Sequence, residues 1–309
     1  MAFAFLFPGQ GSQSLNMMDG FDALPVVRET FAEASDALGQ DLWAMLKADS
    51  ADAINATVNT QPLMLTAGIA TWRAWLASGG AHPSRLAGHS LGEYSALVAA
   101  EALPFADAVR LVRLRAEAMQ AAVPEGVGAM AAILGLSDEA IRAACAGAAA
   151  GEVVEPVNFN SPGQVVIAGH AGAVERAMAA CKAAGAKRAL PLPVSVPSHC
   201  ALMKPAAERL AAALAQVAIQ KPAIDVLHNA DVAAYADAAQ IRDALVRQLY
   251  SPVRWTETVA RMADDGITLM AECGPGKVLA GLAKRIDGNV KCFALTDAAA
   301  LDAARTELL

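Results

Sequence analysis

Residues 2–7, AFAFLF, form an unbroken apolar run that stops at PGQGSQ, the pattern of a strand buried on both faces and closed by a turn. Helical spacing dominates the next stretch of chain. One long helix is expected over Gln61–Ser78, stopped by Gly79-Gly80. A short strand at Arg85–Ala87 leads into AGHSLGEYSALVAA, and Pro104 stands near the first turn of the next helix, FADAVRLVRLRAEAM. From Gly126 the texture changes. VGAMAAIL reads as a strand, SDEAIRAACAGAA as a helix capped by Ser137, and EVVEPVNF and QVVIAG as strands joined by the turn NSPG. AGAVERAMAACKAAG reads as a helix ending at Gly185, and KRALPLPV as a last strand. The order β-α-β-β-α-β is the ferredoxin-like split βαβ unit. It predicts a small subdomain over 126–197 inserted into a discontinuous core of 1–125 and 198–309.

Beyond the insertion the alternation resumes: a helix over Ala201–Gln216, a strand AIDVLHN, helices AAQIRDALVRQL and TETVARMADDG, a strand ITLMAEC, and a loop GPGK entering the helix VLAGLAKRI. Strands alternating with helices of this length imply an α/β fold, with a parallel sheet covered on both faces.

Composition narrows the function class. The net charge of −7 argues against a general nucleic-acid surface. No apolar run approaches the ~20 residues of a membrane span, and AFAFLF lacks the flanks of a secretion signal. The five cysteines are widely spaced with no C-x-x-C, so reduced cytosolic thiols are expected rather than disulfides or zinc.

The stretch 87–100 has two readings. Ser90 followed by Glu93 is a capping box. Gly88-His89-Ser90-Leu91-Gly92 is also the G-x-S-x-G of a nucleophile elbow, and the cap leaves both glycines unexplained, since Gly inside a helix costs ~1 kcal/mol against Ala. The elbow accounts for all five residues. PGQGSQ lacks the third glycine of a dinucleotide fingerprint, and GPGK lacks two residues of a phosphate loop. Both are expected to be turns at strand ends, with the Gln10 N–H free to face the serine.

A nucleophilic serine needs a base. His82 sits in a loop, His170 in the small subdomain, and His89 is expected to pack beneath the elbow, which leaves His199 and His228. His199, at the first turn of a helix, has a modest lead on spacing. On FADAVRLVRLRAEAM, Arg110 can pair with Asp107 and Arg113 with Glu117, but Arg115 lies on the apolar face with no partner in its own helix. A buried unpaired guanidinium is costly, so a carboxylate from elsewhere in the protein or from a substrate is expected to meet it.

FPGQGSQ, GHSLGEYSAL, VRLVRLRAEAM, NSPGQVVIAG, VPSHCALM, HNADV, QLYSPVRW and ECGPGKVL, in this order along nearly the whole chain, together resemble the malonyl-CoA:acyl carrier protein transacylases of fatty-acid synthesis. The resemblance implies an α/β-hydrolase-like core with a ferredoxin-like insertion. It implies Ser90 as nucleophile, His199 as base and Arg115 as the site for the malonyl carboxylate. It further implies that the N–H groups of Gln10 and Leu91 form an oxyanion hole, that the Gln248 carbonyl orients His199, and that Asn229 supports the site. The reaction implied is ping-pong transfer from malonyl-CoA to acyl carrier protein in the cytoplasm, with no metal or cofactor, by a monomer. Lys187, Arg188, Lys277, Lys284 and Arg285 are candidates for meeting an acidic carrier. A polyketide malonyl acyltransferase, a serine thioesterase or hydrolase, and a non-catalytic assembly subunit are the competing readings.

Overall fold

A computed structural model describes residues 2–194 and 196–308. Nine strands are described: β1 (Phe3–Phe7), β2 (Arg85–Gly88), β3 (Gly128–Leu134), β4 (Val154–Ser161), β5 (Gln164–His170), β6 (Arg188–Pro191), β7 (Val226–Leu227), β8 (Leu269–Glu272) and β9 (Lys291–Ala294). They form two sheets, of five strands in the order β7-β2-β1-β8-β9 and of four in the order β4-β5-β3-β6.

The five-stranded sheet is parallel throughout, with Leu6 of β1 between Ala87 of β2 and Glu272 of β8. Every residue of β1 is buried, as its unbroken apolar run requires. The four-stranded sheet is antiparallel. The helices Asp138–Ala148 and Ala171–Ala183 follow β3 and β5, giving the element order β-α-β-β-α-β along this stretch. The sheet buries an apolar cluster of its own, including Ile133, Ile141, Val165 and Val174. Reciprocal hydrogen bonds between Val253 and the β4 residues Val157 and Phe159 tie it to the core.

Several boundaries differ from the sequence reading. The long helix begins at Thr57, not Gln61, and carries Pro62 within it, because Ala56 is extended and starts the turn early. The segment expected to be one helix over Ala201–Gln216 is a 3-10 turn, Ala201–Met203, followed by a helix, Lys204–Leu214. AIDVLHN contributes only the two residues of β7. Strand β9 and the helix Ala298–Leu308 were not expected; their short, half-polar patterns give weak periodicity.

In a parallel sheet the carboxyl ends of the strands open on one edge. Here that edge collects Pro8-Gly9-Gln10 after β1, His89-Ser90 after β2, His228-Asn229 after β7 and Cys273-Gly274 after β8.

Candidate active site

The turn after β2 is tight because two glycines permit it. A Cβ on Gly88 would lie 1.9 Å from the Gly92 carbonyl carbon, and one on Gly92 would lie 2.0 Å from the Phe7 oxygen. Between them Ser90 adopts φ +52°, the left-handed region that non-glycine residues rarely enter. Its hydroxyl caps nothing. The helix begins at Gly92, with Leu91 as its N-cap and no side-chain cap bond, so the capping-box reading fails. The Ser90 N–H is held by Asn229 Oδ1 at 2.7 Å, while Asn229 Nδ2 donates to the Gly88 carbonyl at 2.7 Å.

The serine oxygen lies 2.7 Å from His199 Nε2. His199 is also left-handed, at φ +65°, and stands in the turn before the 3-10 helix rather than in a first helical turn. Its backbone N–H donates to the Leu249 carbonyl at 3.0 Å, and Nδ1 lies 2.7 Å from the Gln248 carbonyl oxygen. A carbonyl can only accept, so Nδ1 carries the proton and Nε2 presents its lone pair to Ser90. Both carbonyls come from the end of the helix Ala238–Gln248, where C=O groups lack helical partners and the dipole is negative. That helix end takes the place of an orienting acid. Burial, then the Arg115 charge, push the His199 pKa down to about 3, against the pull of the Gln248 carbonyl. The ring is therefore neutral at ordinary pH.

Arg115, 1% exposed, donates from Nη1 to Gln61 Oε1 at 2.8 Å and from Nη2 to Gln248 Oε1 at 3.1 Å. Nη2 also lies 3.4 Å from Ser90 Oγ. Nε has no partner, and no carboxylate pairs with the guanidinium among the described residues. Of the two partners the sequence allows, a carboxylate of the protein is thus excluded among the described residues, and the charge faces the serine. On the same helix Arg110 pairs with Asp107 at 3.0 Å as expected, whereas Arg113 reaches Gln40 instead of Glu117.

Ser90, His199, Arg115, Gln10, Leu91 and His89 line one cavity of about 310 Å3, closed on its far side by the antiparallel sheet. The N–H groups of Gln10 and Leu91 have no hydrogen-bond partner among the described residues. Gly9 brings the two loops together, since a Cβ there would lie 2.5 Å from the His89 oxygen and 3.7 Å from the Leu91 nitrogen.

His89 is not beneath the elbow. It faces the cavity, tilted 60° against the Trp255 ring and paired with Asn160 of β4 at 2.8 Å, and burial lowers its pKa. His228 does not serve as the base: its Nε2 is buried with no partner among the described residues, its Nδ1 lies 2.7 Å from the buried carboxylate of Glu93, and Ser90 Oγ takes its imidazole contact from His199. His170 accepts from Val153 N–H in the small sheet, and His82 is exposed. Sequence reasoning missed Gln61, Asn160 and the inward turn of Glu93. The apolar surroundings of Gln61, in a helix buried almost throughout, were the available signal.

Among the described residues no group of three or more His, Cys, Asp and Glu is placed to hold a metal ion, and no helix is long and apolar enough to cross a membrane. All five cysteines are unpaired.

Residues 4–288 match the acyl transferase domain family. The malonyl CoA-acyl carrier protein transacylase of Salmonella typhimurium is 61% identical over 306 residues, covering 99% of each chain. The solved malonyl CoA-acyl carrier protein transacylase of Coxiella burnetii superposes with a TM-score of 0.99 at 49% identity, over 100% of this chain and 98% of that one. A malonyl-transacylase solved in complex with its type II polyketide acyl-carrier protein gives 0.98 at 56% identity, over 99% and 100%. This chain belongs to the acyl transferase family and falls among its malonyl-CoA:acyl carrier protein transacylases.

Proposed function

We propose that the protein transfers a malonyl group from malonyl-CoA to the phosphopantetheine thiol of an acyl carrier protein, through a malonyl ester on Ser90. The observation that carries this reading is the serine–imidazole contact of 2.7 Å with an unpaired guanidinium 3.4 Å from the same oxygen. In the first half, Ser90 Oγ attacks the thioester carbon as its proton passes to His199 Nε2. The oxyanion forms against the N–H groups of Gln10 and Leu91 at the positive end of the helix Gly92–Ala99. The C–S bond breaks, and coenzyme A sulfur takes the proton from His199. In the second half, the carrier thiol gives its proton to His199, its sulfur attacks the ester carbon, and Ser90 Oγ leaves with the proton. The imidazolium formed at each step is stabilised by the Gln248 carbonyl. These steps use only the chain's own groups, the thioester and the carrier thiol.

The small sheet, proposed as the subdomain 126–197, closes the cavity over the ester and keeps water from competing. Carrier docking is proposed on the basic residues near the mouth. Arg285 donates to Gln164 at 2.8 Å, and Gln164 lines the cavity. Lys187 lies against Gly135 beside the same turn, and Arg188, Lys277 and Lys284 are exposed. Whether the carrier serves fatty-acid or polyketide assembly is a second question, raised by the complex with a type II polyketide carrier; purified carriers of both kinds, compared by kcat/KM, answer it.

The test is the isolated half-reaction. Labelled coenzyme A should exchange into malonyl-CoA with no carrier present, and Ser90→Ala should abolish the exchange. Exchange that requires the carrier overturns the ping-pong route, and rapid release of free malonate favours a hydrolase.

A further inference from the structure

We propose that Glu93 is a positioning residue for the carboxylate-binding arginine, acting through the side chain of Gln248; the inference rests on Arg115 being the carboxylate site. The Glu93 carboxylate is fully buried. It meets His228 Nδ1 at 2.7 Å and accepts from the Asn229 N–H at 2.9 Å and from Gln248 Nε2 at 3.0 Å. Two of these contacts lead to the site. Asn229 holds the Ser90 backbone, and Gln248 holds Arg115.

The Gln248 amide is the informative link. Its nitrogen spends both hydrogens, on Glu93 and on the Ser90 carbonyl at 2.9 Å, which leaves Oε1 for Arg115 Nη2 at 3.1 Å. Rotating the amide by half a turn would set its NH2 against the guanidinium and its oxygen against two acceptors. An ionised carboxylate cannot donate, so it enforces one orientation. A neutral Gln at position 93 can offer either end and removes that constraint. No other carboxylate lies in hydrogen-bond contact with this network among the described residues, and Glu93 reaches Arg115 only through the Gln248 amide, which leaves the guanidinium without a direct anionic partner.

The test measures kcat/KM for malonyl-CoA and acetyl-CoA with the full-length protein and holo carrier, in wild type, Glu93→Gln, Gln248→Met and the double variant. Gln248→Met keeps the backbone carbonyl that His199 uses. The malonyl-to-acetyl ratio should fall ~10- to 100-fold in each single variant, by analogy with the loss of partners that orient metal ligands. The double variant should fall no further than Gln248→Met alone. Acetyl transfer, and labelling of Ser90 by an uncharged serine-reactive phosphonate, read the loss common to both donors that follows from the contacts to the Ser90 backbone, and the malonyl-to-acetyl ratio reads the loss beyond it. A merely structural role predicts equal losses for both donors, and additive losses in the double variant; either result overturns the proposal. If Glu93→Gln is insoluble, Glu93→Asp keeps an acceptor-only group and should keep more of the ratio than Gln248→Met does. An unchanged ratio in Gln248→Met breaks the link through which Glu93 is proposed to act. A wild type that uses acetyl as readily as malonyl overturns the reading of Arg115 and this proposal with it. A selective wild type whose ratio survives both substitutions overturns this proposal alone.

Discussion

Replacing Arg115 with alanine should cost malonyl transfer far more than acetyl transfer, and the size follows from the surroundings of the guanidinium. It is 1% exposed and rests on two neutral amide oxygens, with Nε unpartnered. A substrate carboxylate would supply the anion that these surroundings lack. Hydrogen bonds between ionised groups contribute ~1.5–3 kcal/mol each, so a two-point fork is worth ~3–6 kcal/mol. At about 1.4 kcal/mol per tenfold, malonyl kcat/KM should fall ~10²–10⁴-fold. Acetyl-CoA makes no such fork and leaves the charge buried without an anion, so its transfer should hold or rise. Arg115 also touches Ser90 Oγ at 3.4 Å, and losing that contact affects both donors alike. The ratio of the two kcat/KM values is therefore the quantity to read, with a carrier-transfer assay on matched protein. Arg115→Lys should fall between, because an ammonium keeps the charge and loses the planar fork. Equal loss with both donors would refute the reasoning.

The remaining predictions concern protons, backbone and charge. The rate of Ser90 labelling by a neutral phosphonate should stay level on acidification through ~6.5, the ordinary histidine value, because His199 titrates near 3. Arg115→Ala should move the acid limb to higher pH, since the guanidinium is one cause of the depression. The unfolded chain takes up protons below ~6.5 that folded His199 and His89 resist, so stability should fall as pH drops from ~6.5 towards 3. His199→Gln should flatten part of that slope in denaturant titrations. Gly92→Ala should destabilise by ~3–5 kcal/mol or prevent folding, as its Cβ would strike the Phe7 carbonyl, whereas Gly281→Ala, with open space around it, should stabilise by ~0.4–1 kcal/mol. Lys187→Glu with Arg285→Glu should raise KM for an acidic carrier and leave KM for malonyl-CoA unchanged; a carrier step insensitive to salt would count against a basic docking face.

Much of this site was legible because it is built from exceptions to ordinary pattern. Glycines at 88 and 92 have no use in a plain helix start, and Arg115 has no use on an apolar helix face. The split βαβ order was equally legible, its three longer strands each being long enough to show a period. Glu93 was misread because its spacing from Ser90 satisfies a capping box, and only the left-handed φ of Ser90 turns the serine away from that role. The choice between His199 and His228 was open in the sequence. It is decided by which Nε2 reaches the serine: that of His199, held by two carbonyls of a helix end, lies 2.7 Å from Ser90 Oγ, while that of His228 is buried without a partner among the described residues. The second task of Gln248, holding Arg115 with its side chain while its carbonyl holds His199, depends on contacts between distant segments that no local period records.

The central claim is that a serine in a strained turn carries the acyl group between two thiols. Intact-protein and peptide mass spectrometry after mixing with malonyl-CoA tests it most directly. The account predicts one malonyl adduct, on the peptide holding Ser90, stable until holo carrier protein is added and then transferred to the carrier. No adduct, an adduct on another residue, or loss of the adduct as free malonate before the carrier arrives would contradict it.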